Sequence, residues 1–358
     1  MKFFRILLLP FSILFWLIIR LRNFLFDFGI LKSKSFSIPI ISFGNILVGG
    51  TGKTPHSEYV LRLLKGKYKV AYLSRGYGRK TNHFIELDEN SNPEQVGDEA
   101  IQIKNKLNNL VIAVDKKRVN GIAQITAKHP ETDVIILDDA FQHRSVKPGM
   151  NILLTPYTKL FLDDFLLPAG NLREPLGNSK RADAIIVTKC PEVLTPIEKR
   201  QIEERVKILP DQKLFYSYLK YGDFVPFLKT KRIILNKDFY FDRRFSMILF
   251  TGIADASPLL YFLKRYASEV HHIEFGDHYN FKKADLERVI QTFKDLPKKD
   301  KIIVTTEKDS MRLKSQDLKD LLINYPLFYI PIEVAFHPTE TDFNNYILNY
   351  VEENKRNS

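Results

Sequence analysis

The chain has 358 residues, enough for two domains with cores of their own. Apolar residues at 44% and charged residues at 27% are ordinary for a globular protein, and one cysteine, Cys190, excludes an internal disulfide framework and suits a reducing compartment. The 54 Lys and Arg against 42 Asp and Glu leave +12, which favours an acidic partner: a nucleotide, a nucleic acid, an anionic membrane or a phosphorylated substrate.

The N-terminus narrows that choice. Phe3 to Ile19 is almost wholly apolar, interrupted by Arg5, Pro10 and Ser12 and flanked by Lys2, Arg20 and Arg22. From Ile6 to Ile19 the run covers 14 residues, short of the roughly 20 that span a bilayer core. A basic start and apolar middle also fit a signal peptide, but no small-x-small cleavage site follows. Residues 1–28 therefore read as a membrane-embedded or interfacial segment, with Trp16, Phe24, Phe26 and Phe28 near headgroup level and the basic residues on anionic lipid.

Next comes an apolar strand, Ile38 to Phe43, and the turn Gly44-Asn-Ile-Leu-Val-Gly-Gly-Thr-Gly-Lys-Thr-Pro55 leading into a helix. Strand, glycine-rich loop and helix start form a phosphate cradle, because backbone N–H groups at a helix N-terminus favour an anion. Gly49, Gly50, Thr51, Gly52, Lys53 and Thr54 are the candidate nucleotide-binding residues, Lys53 as a point charge and Thr54 as a Mg²⁺ ligand. The strict G-x-x-x-x-G-K-[ST] pattern asks for glycine where Leu47 stands; Gly49 and Gly50 supply the flexibility instead.

Strands are expected at Lys69 to Ser74, Val111 to Val114, Asp133 to Asp139, Met150 to Leu154 and Ala184 to Thr188, with helices at Glu99 to Leu107, Val119 to Lys128 and Thr195 to about Leu209. That alternation predicts an α/β domain over 29–212 with a mostly parallel sheet covered on both faces, whose ligands gather at the carboxyl ends of the strands. Residues 213–243 are aromatic and β-prone, read as a β-ribbon linking two lobes. A smaller α/β lobe is expected over 244–358, with strands MILFT, VHHIEF and KIIVTT and a last helix near Asp342 to Val351.

Asp138 and Asp139 end an apolar strand beside the phosphate loop, where such folds hold Mg²⁺. Asp98 has two readings: an N-cap, or a carboxylate that takes or orients the proton of an acceptor hydroxyl. His278, beside Asp277, is a candidate to hold or tune that base. Arg75, Arg79, Arg118 and Arg173 are each solvated charges or, together, a clamp on an anionic substrate. The loop Leu166-Leu-Pro-Ala-Gly-Asn-Leu-Arg-Glu-Pro175 offers an apolar half to acyl chains, with Arg173 and Glu174 on a polar cleft.

Taken together, Val48-Gly-Gly-Thr-Gly-Lys-Thr-Pro55, Ser74-Arg-Gly-Tyr77, Gly97-Asp-Glu99, Leu137-Asp-Asp-Ala-Phe-Gln-His143, Leu167-Pro-Ala-Gly170 with Leu172-Arg-Glu-Pro175, Asp277-His278 and Thr306-Glu-Lys-Asp309 closely resemble the tetraacyldisaccharide 4'-kinases, the lipid A 4'-kinase family of Gram-negative bacteria. The resemblance covers nearly the whole chain and includes the missing glycine at Leu47. It implies a P-loop NTPase-like domain and a smaller lobe, joined by a β-ribbon and closing over ATP. It further implies ATP- and Mg²⁺-dependent phosphorylation of the 4'-hydroxyl of a disaccharide 1-phosphate at the cytoplasmic face of the inner membrane. Residue by residue, it gives Lys53 the phosphates, Thr54 and Asp138 or Asp139 the metal, and Asp98 the role of base with His278 assisting; Arg118 and Arg173 lie near phosphates.

Two other classes are disfavoured. A P-loop GTPase or metallochaperone-type switch ATPase is the first; guanine selection commonly needs an Asn/Thr-Lys-x-Asp run, and after Thr188-Lys189-Cys190 the chain has Pro191. A non-enzymatic membrane-associated or nucleic-acid-binding protein using the +12 charge would leave Asp98, Asp138 and Asp139 without a purpose, since they repel a phosphate backbone unless metal-bound.

Overall fold

The computed structural model describes residues 2–228, 236–277, 279–313, 315–337 and 340–355. It divides into two units, one of residues 1–219 and 334–358, the other of Lys220–Glu333.

Unit 1 opens with helices α1 (Lys2–Leu7) and α2 (Leu9–Asp27). It continues through β1 (Ile40–Gly44), α3 (Lys53–Leu64), β2 (Val70–Ser74), β3 (Ile85–Glu86), α4 (Pro93–Val96), α5 (Asp98–Lys106), β4 (Val111–Val114), α6 (Arg118–Lys128) and β5 (Val134–Asp138). Then follow β6 (Met150–Pro156), β7 (Ala184–Thr188), α7 (Pro196–Val206) and β8 (Lys213–Tyr221). Helix α7 starts on the expected capping box: Thr195 accepts from the Glu198 N–H while Glu198 accepts from the Thr195 N–H.

The strands β1, β2, β4, β5, β6 and β7 are each five residues or so of almost uninterrupted apolar side chains, and all are buried on both faces. They pair in parallel in the order β8-β7-β6-β1-β5-β2-β4, with β3 antiparallel at the edge. Phe43 on β1 is in register with Asp138 on β5, so the end of β5 lies beside the turn that follows β1. That register, set by Ile40 to Phe43 against Ile135 to Asp138, builds the site.

Unit 2 holds β9 (Val225–Pro226), α8 (Lys237–Asp242), β10 (Ser246–Thr251), α9 (Ser257–Tyr266), β11 (Glu269–Glu274), α10 (Lys283–Asp295), β12 (Lys301–Thr306), α11 (Glu307–Ser310), α12 (Gln316–Leu322) and β13 (Leu327–Ile330). Its sheet runs β11-β10-β12-β13-β9, parallel except for β9. The chain then passes through β14 (Ile332–Phe336), which joins the first sheet beside β8, and ends in α13 (Glu340–Lys355).

Two expectations change here. The ribbon proposed for 213–243 is β8 and the short β9 only. Asp238 to Asp242 is helical, because the Asn236 side chain accepts from the Asp238 N–H as an N-cap and Tyr240 and Phe241 then pack on Phe224; the run RIIL at 232–235 lies outside the described residues. The last helix also does not belong with 244–333. Phe343, Ile347 and Val351 recur at helical spacing and are fully buried in the core of unit 1, with Phe343 stacked on Phe336 at 4.1 Å.

The N-terminal segment is helical further than its apolar run. Helix α2, at 19 residues, is long and apolar enough by length and composition to cross a membrane. Phe11, Ile13, Leu14, Leu17, Ile18, Leu21 and Phe24 are exposed on it, whereas Ser12 and Asn23 are buried.

Candidate active site

The turn after β1 is held from beneath. Asn45, wholly buried, donates from Nδ2 to Thr51 Oγ1 at 2.9 Å, and Thr188 Oγ1 donates to the Thr51 carbonyl at 2.8 Å. The Thr51 hydroxyl therefore shapes the loop from inside. Gly52 is the N-cap of α3 at φ 90°, a left-handed conformation that a side chain rarely adopts. Under it sits His56, with Nδ1 2.7 Å from Gly52 O and Nε2 2.8 Å from Ser217 Oγ. Burial pulls the His56 pKa down to about 4, so the ring is neutral near pH 7. Helix α3 begins at Lys53, two residues before Pro55, which places Lys53 and Thr54 in its first turn.

Acids meet this loop from β5. Thr54 Oγ1 donates to Asp138 Oδ2 at 2.9 Å, and Tyr72 OH from β2 donates to the same oxygen at 2.8 Å. Asp138 Oδ1 is buried and has no hydrogen-bond partner among the described residues. Burial first, and then the charge of Glu99, push the Asp138 pKa up to about 6. Asp139 leaves the strand at φ 49° and takes the cations: Lys53 Nζ is 3.5 Å and Arg173 Nη1 3.4 Å from its carboxylate. Burial acts to raise its pKa, but Lys53, Arg173 and Arg118 outweigh it and hold the carboxyl below its usual range. Adjacent aspartates thus have opposite environments, one desolvated and one ion-paired.

The arginines separate by role. Arg118 at the start of α6 is fully buried; Nη1 donates to Asp115 O and Nη2 to Asp138 O at 3.0 Å. Burial lowers its pKa to about 10, with Asp139 and Asp138 acting in the opposite direction. It braces the end of β5, and its charge acts on the acids through the protein interior. Arg173 is half-buried on Asp139, and Arg75 is exposed. Arg79 turns inward, against the clamp expectation: it is buried, and Nη1 donates to His83 O at 2.9 Å, which ties down its own loop.

Asp98 is the first residue of α5, half-buried, and the N-cap is Gly97. Gly97 holds φ 88°, and a Cβ there would come within 2.7 Å of Tyr77 O, so only glycine lets the Arg75-Gly-Tyr loop lie against the start of α5. His278 lies outside the described residues. Glu174, expected on a polar cleft, is instead fully buried, accepting from Arg181 and from Asn178 at 2.7 Å. In the apolar half of that loop Ala169 is buried, Leu166 and Leu167 are half-buried and Pro168 is exposed, while Leu172 beyond it packs with Ile46, Leu47 and Phe161.

Sequence reasoning passed over Glu99, Tyr72 and Asn45 as site residues. Each stands in or beside a motif already singled out, but only pairing of β1, β2 and β5 brings Tyr72 onto Asp138. His143 is held neutral near pH 7, its pKa lowered to about 4 by burial and then by Arg118 and Arg75.

Residues 4–352 match the family described as LpxK, tetraacyldisaccharide-1-P 4'-kinase. The chain is 45% identical over 341 residues to the tetraacyldisaccharide 4'-kinase of Phocaeicola vulgatus, an alignment covering 94% of this chain and 93% of that one. With the enzyme of the same name from Flavobacterium johnsoniae the identity is 43% over 354 residues and 99% of each chain. Among solved structures, that of LpxK from Aquifex aeolicus in complex with ATP is similar with a TM-score of 0.72 at 30% identity, over 97% of this chain and 99% of that one.

Proposed function

This chain belongs to the tetraacyldisaccharide-1-P 4'-kinase family, and from that membership we propose that it transfers the γ-phosphoryl group of ATP to the 4'-hydroxyl of a tetraacylated disaccharide 1-phosphate in lipid A biosynthesis. The observation that carries this reading is the junction of Thr54 with Asp138, which sets a phosphate-loop hydroxyl and a strand-end acid at one point. Phosphoryl transfer needs positioning and charge neutralisation more than covalent help.

In this reading the backbone of Gly49 to Gly52 cradles the ATP phosphates and Lys53 neutralises their outer oxygens. Asp139 holds Lys53 and Arg173 to one place and keeps both side chains from collapsing into solvent. Arg173 adds a second cation where negative charge builds up. Arg118 keeps the end of β5 in place beneath them. Asp98, the first residue of α5, receives the proton of the attacking hydroxyl, and the family pattern gives His278 an assisting role.

The donor set suits Mg²⁺. Among the described residues a buried Asp138 oxygen has no partner, and the Thr54 hydroxyl stands on the same carboxylate. Mg²⁺ characteristically takes one or two protein oxygens and completes its shell with phosphates and water. Thr54 and Asp138 would hold it, with Asp139 nearby as a charge, and it would neutralise the β- and γ-phosphate oxygens.

The apolar length of α2 and the basic residues near it support a membrane-associated location, and use of ATP would set that surface on the cytoplasmic side of the inner membrane. The test is direct: the purified full-length chain, ATP–Mg²⁺ and a tetraacylated disaccharide 1-phosphate should give a new phosphomonoester on the non-reducing sugar. ATP hydrolysis with no lipid product would overturn the reading in favour of a switch ATPase.

A further inference from the structure

Helix α2 is fastened to the rest of unit 1 by the Ser12 hydroxyl, the Arg22 guanidinium and the backbone carbonyl of Asn23, which accepts from Arg144 Nη1 at 3.0 Å. Ser12 and Asn23 lie about eleven residues apart, close to three full turns, and so share one stripe of the helix. Ser12 is 6% exposed. Its hydroxyl accepts from the Ala169 N–H at 3.0 Å and donates to Leu166 O at 3.0 Å, nearer than the Leu8 carbonyl of its own helical turn at 3.4 Å. One hydroxyl thus closes both sides of the turn around Leu167 and Pro168.

That turn runs directly into the phosphate loop. The Leu172 N–H donates to Phe165 O at 2.9 Å and the Leu167 N–H to Leu172 O at 3.0 Å; beyond them the Arg173 N–H donates to Ile46 O at 2.7 Å and the Val48 N–H to Asn171 O at 2.8 Å. A second line of hydrogen bonds starts at Arg22. Its Nη2 donates to Gln142 O at 2.7 Å, Gln142 Nε2 donates to Asn45 O at 2.7 Å, and Asn45 Nδ2 donates to Thr51 Oγ1 at 2.9 Å. Lipid attachment alone requires neither line, because an apolar face is sufficient to enter a bilayer surface. Buried polar groups on such a helix are favourable only where a specific partner receives them.

We propose that Ser12 and Arg22 are positioning residues for the nucleotide, and that the seating of α2 on unit 1 holds the phosphate loop at Ile46–Val48 and at Asn45–Thr51. Nucleotide affinity then depends on the N-terminal helix, and by linkage a bound nucleotide tightens the seating of that helix. This rests on the reading of residues 45–54 as a nucleotide site.

The experiment measures binding of a fluorescent ATP analogue to the full-length protein in detergent micelles, for wild type, Ser12→Ala, Ser12→Thr and Arg22→Ala. Loss of the bridging hydroxyl or of the Arg22 tether should each weaken analogue binding about three- to tenfold, the range of one hydrogen bond. Ser12→Thr, which keeps the hydroxyl, should bind close to wild type, and micelle association should be the same for all four proteins. Wild-type affinity in either Ala variant, or equal losses in Ser12→Ala and Ser12→Thr, would overturn the proposal. A wild-type protein that bound no analogue would instead overturn the nucleotide site on which it rests.

Discussion

Thr54 donates its hydroxyl proton to Asp138 across 2.9 Å, joining the first turn of α3 to the last residue of β5. Tyr72 donates to the same oxygen, and the other carboxylate oxygen stays buried without a partner among the described residues. An arrangement built for stability would not desolvate a carboxylate with one oxygen unsatisfied. It suits an acid kept ready for a ligand, and the cost can be measured.

With its pKa raised to about 6, Asp138 binds a proton in the native state between roughly pH 4 and 6, where the unfolded chain has lost it. Its contribution to stability is therefore present below about pH 4 and lost as pH rises through 6. Asp138→Asn removes this penalty, and the amide oxygen can still accept from Thr54 and Tyr72. At pH 8, nucleotide-free Asp138→Asn should be more stable than wild type by about 1–3 kcal/mol and should have lost kinase activity at least about a hundredfold. Urea unfolding at pH 4 and pH 8 reads the first effect; a variant no more stable at pH 8 would contradict the buried-charge account.

Asp98→Ala should lower kcat by roughly 10²–10⁴ while binding of an ATP analogue persists, the range expected for loss of a positioned base. Gly97→Ala should lower kcat too, because φ 88° and the 2.7 Å approach to Tyr77 O force the start of α5 to shift. Near-normal turnover in Asp98→Ala would leave that residue a helix-start charge and nothing more.

Lys53→Ala removes a phosphate contact and one of the two close cations on Asp139. The expected result is a fall in kcat/KM for ATP of about 10²–10³, mostly in the step that follows binding. A variant as active as wild type would sink the phosphate-loop assignment.

His56 is buried and neutral under Gly52, with a pKa near 4. Between about pH 6.5 and 4 the unfolded chain takes up a proton that the native ring refuses, so stability falls as pH falls through that window. His143, lowered to about 4 in the same way, adds to the slope, while Asp138 opposes it. His56→Gln should flatten the stability profile between pH 6.5 and 4 relative to wild type, as followed by thermal unfolding. An unchanged profile would mean that His56 is protonated in the folded chain.

The exposed side chains of α2 are separable from its polar anchors. Replacing Phe11, Leu14, Leu17, Ile18 and Leu21 by serine or glutamine leaves Ser12 and Arg22 in place and removes only exposed apolar surface. The protein should move from the membrane pellet to the supernatant and still bind nucleotide. Continued pelleting after the substitutions would shift the membrane contact to another surface.

Local signals in the chain were sufficient for the parallel sheet, the glycine-rich loop and the acids at its edge. Each depends on contiguous residues: apolar runs such as Val134 to Leu137 that can only be buried strands, and glycines that only a turn accommodates. The family pattern added the reaction, because its motifs constrain chemistry as well as shape. What remained hidden was whatever depends on pairing across long separations. Asp238 to Asp242 has strand-like aromatics, yet an N-cap and a waiting aromatic core made it a helix. The last helix follows the smaller unit in sequence, but its apolar stripe packs into the core of the larger one. Composition cannot distinguish Asp138 from Asp139; parallel pairing of β1, β2 and β5 buries the first under Tyr72 and Thr54, and the left-handed turn at the second presents it to Lys53 and Arg173. The sequence determined which groups the site contains, and the tertiary structure decided which of them are charged, braced or left with an oxygen to offer, because desolvation and hydrogen-bond geometry exist only once distant strands have packed.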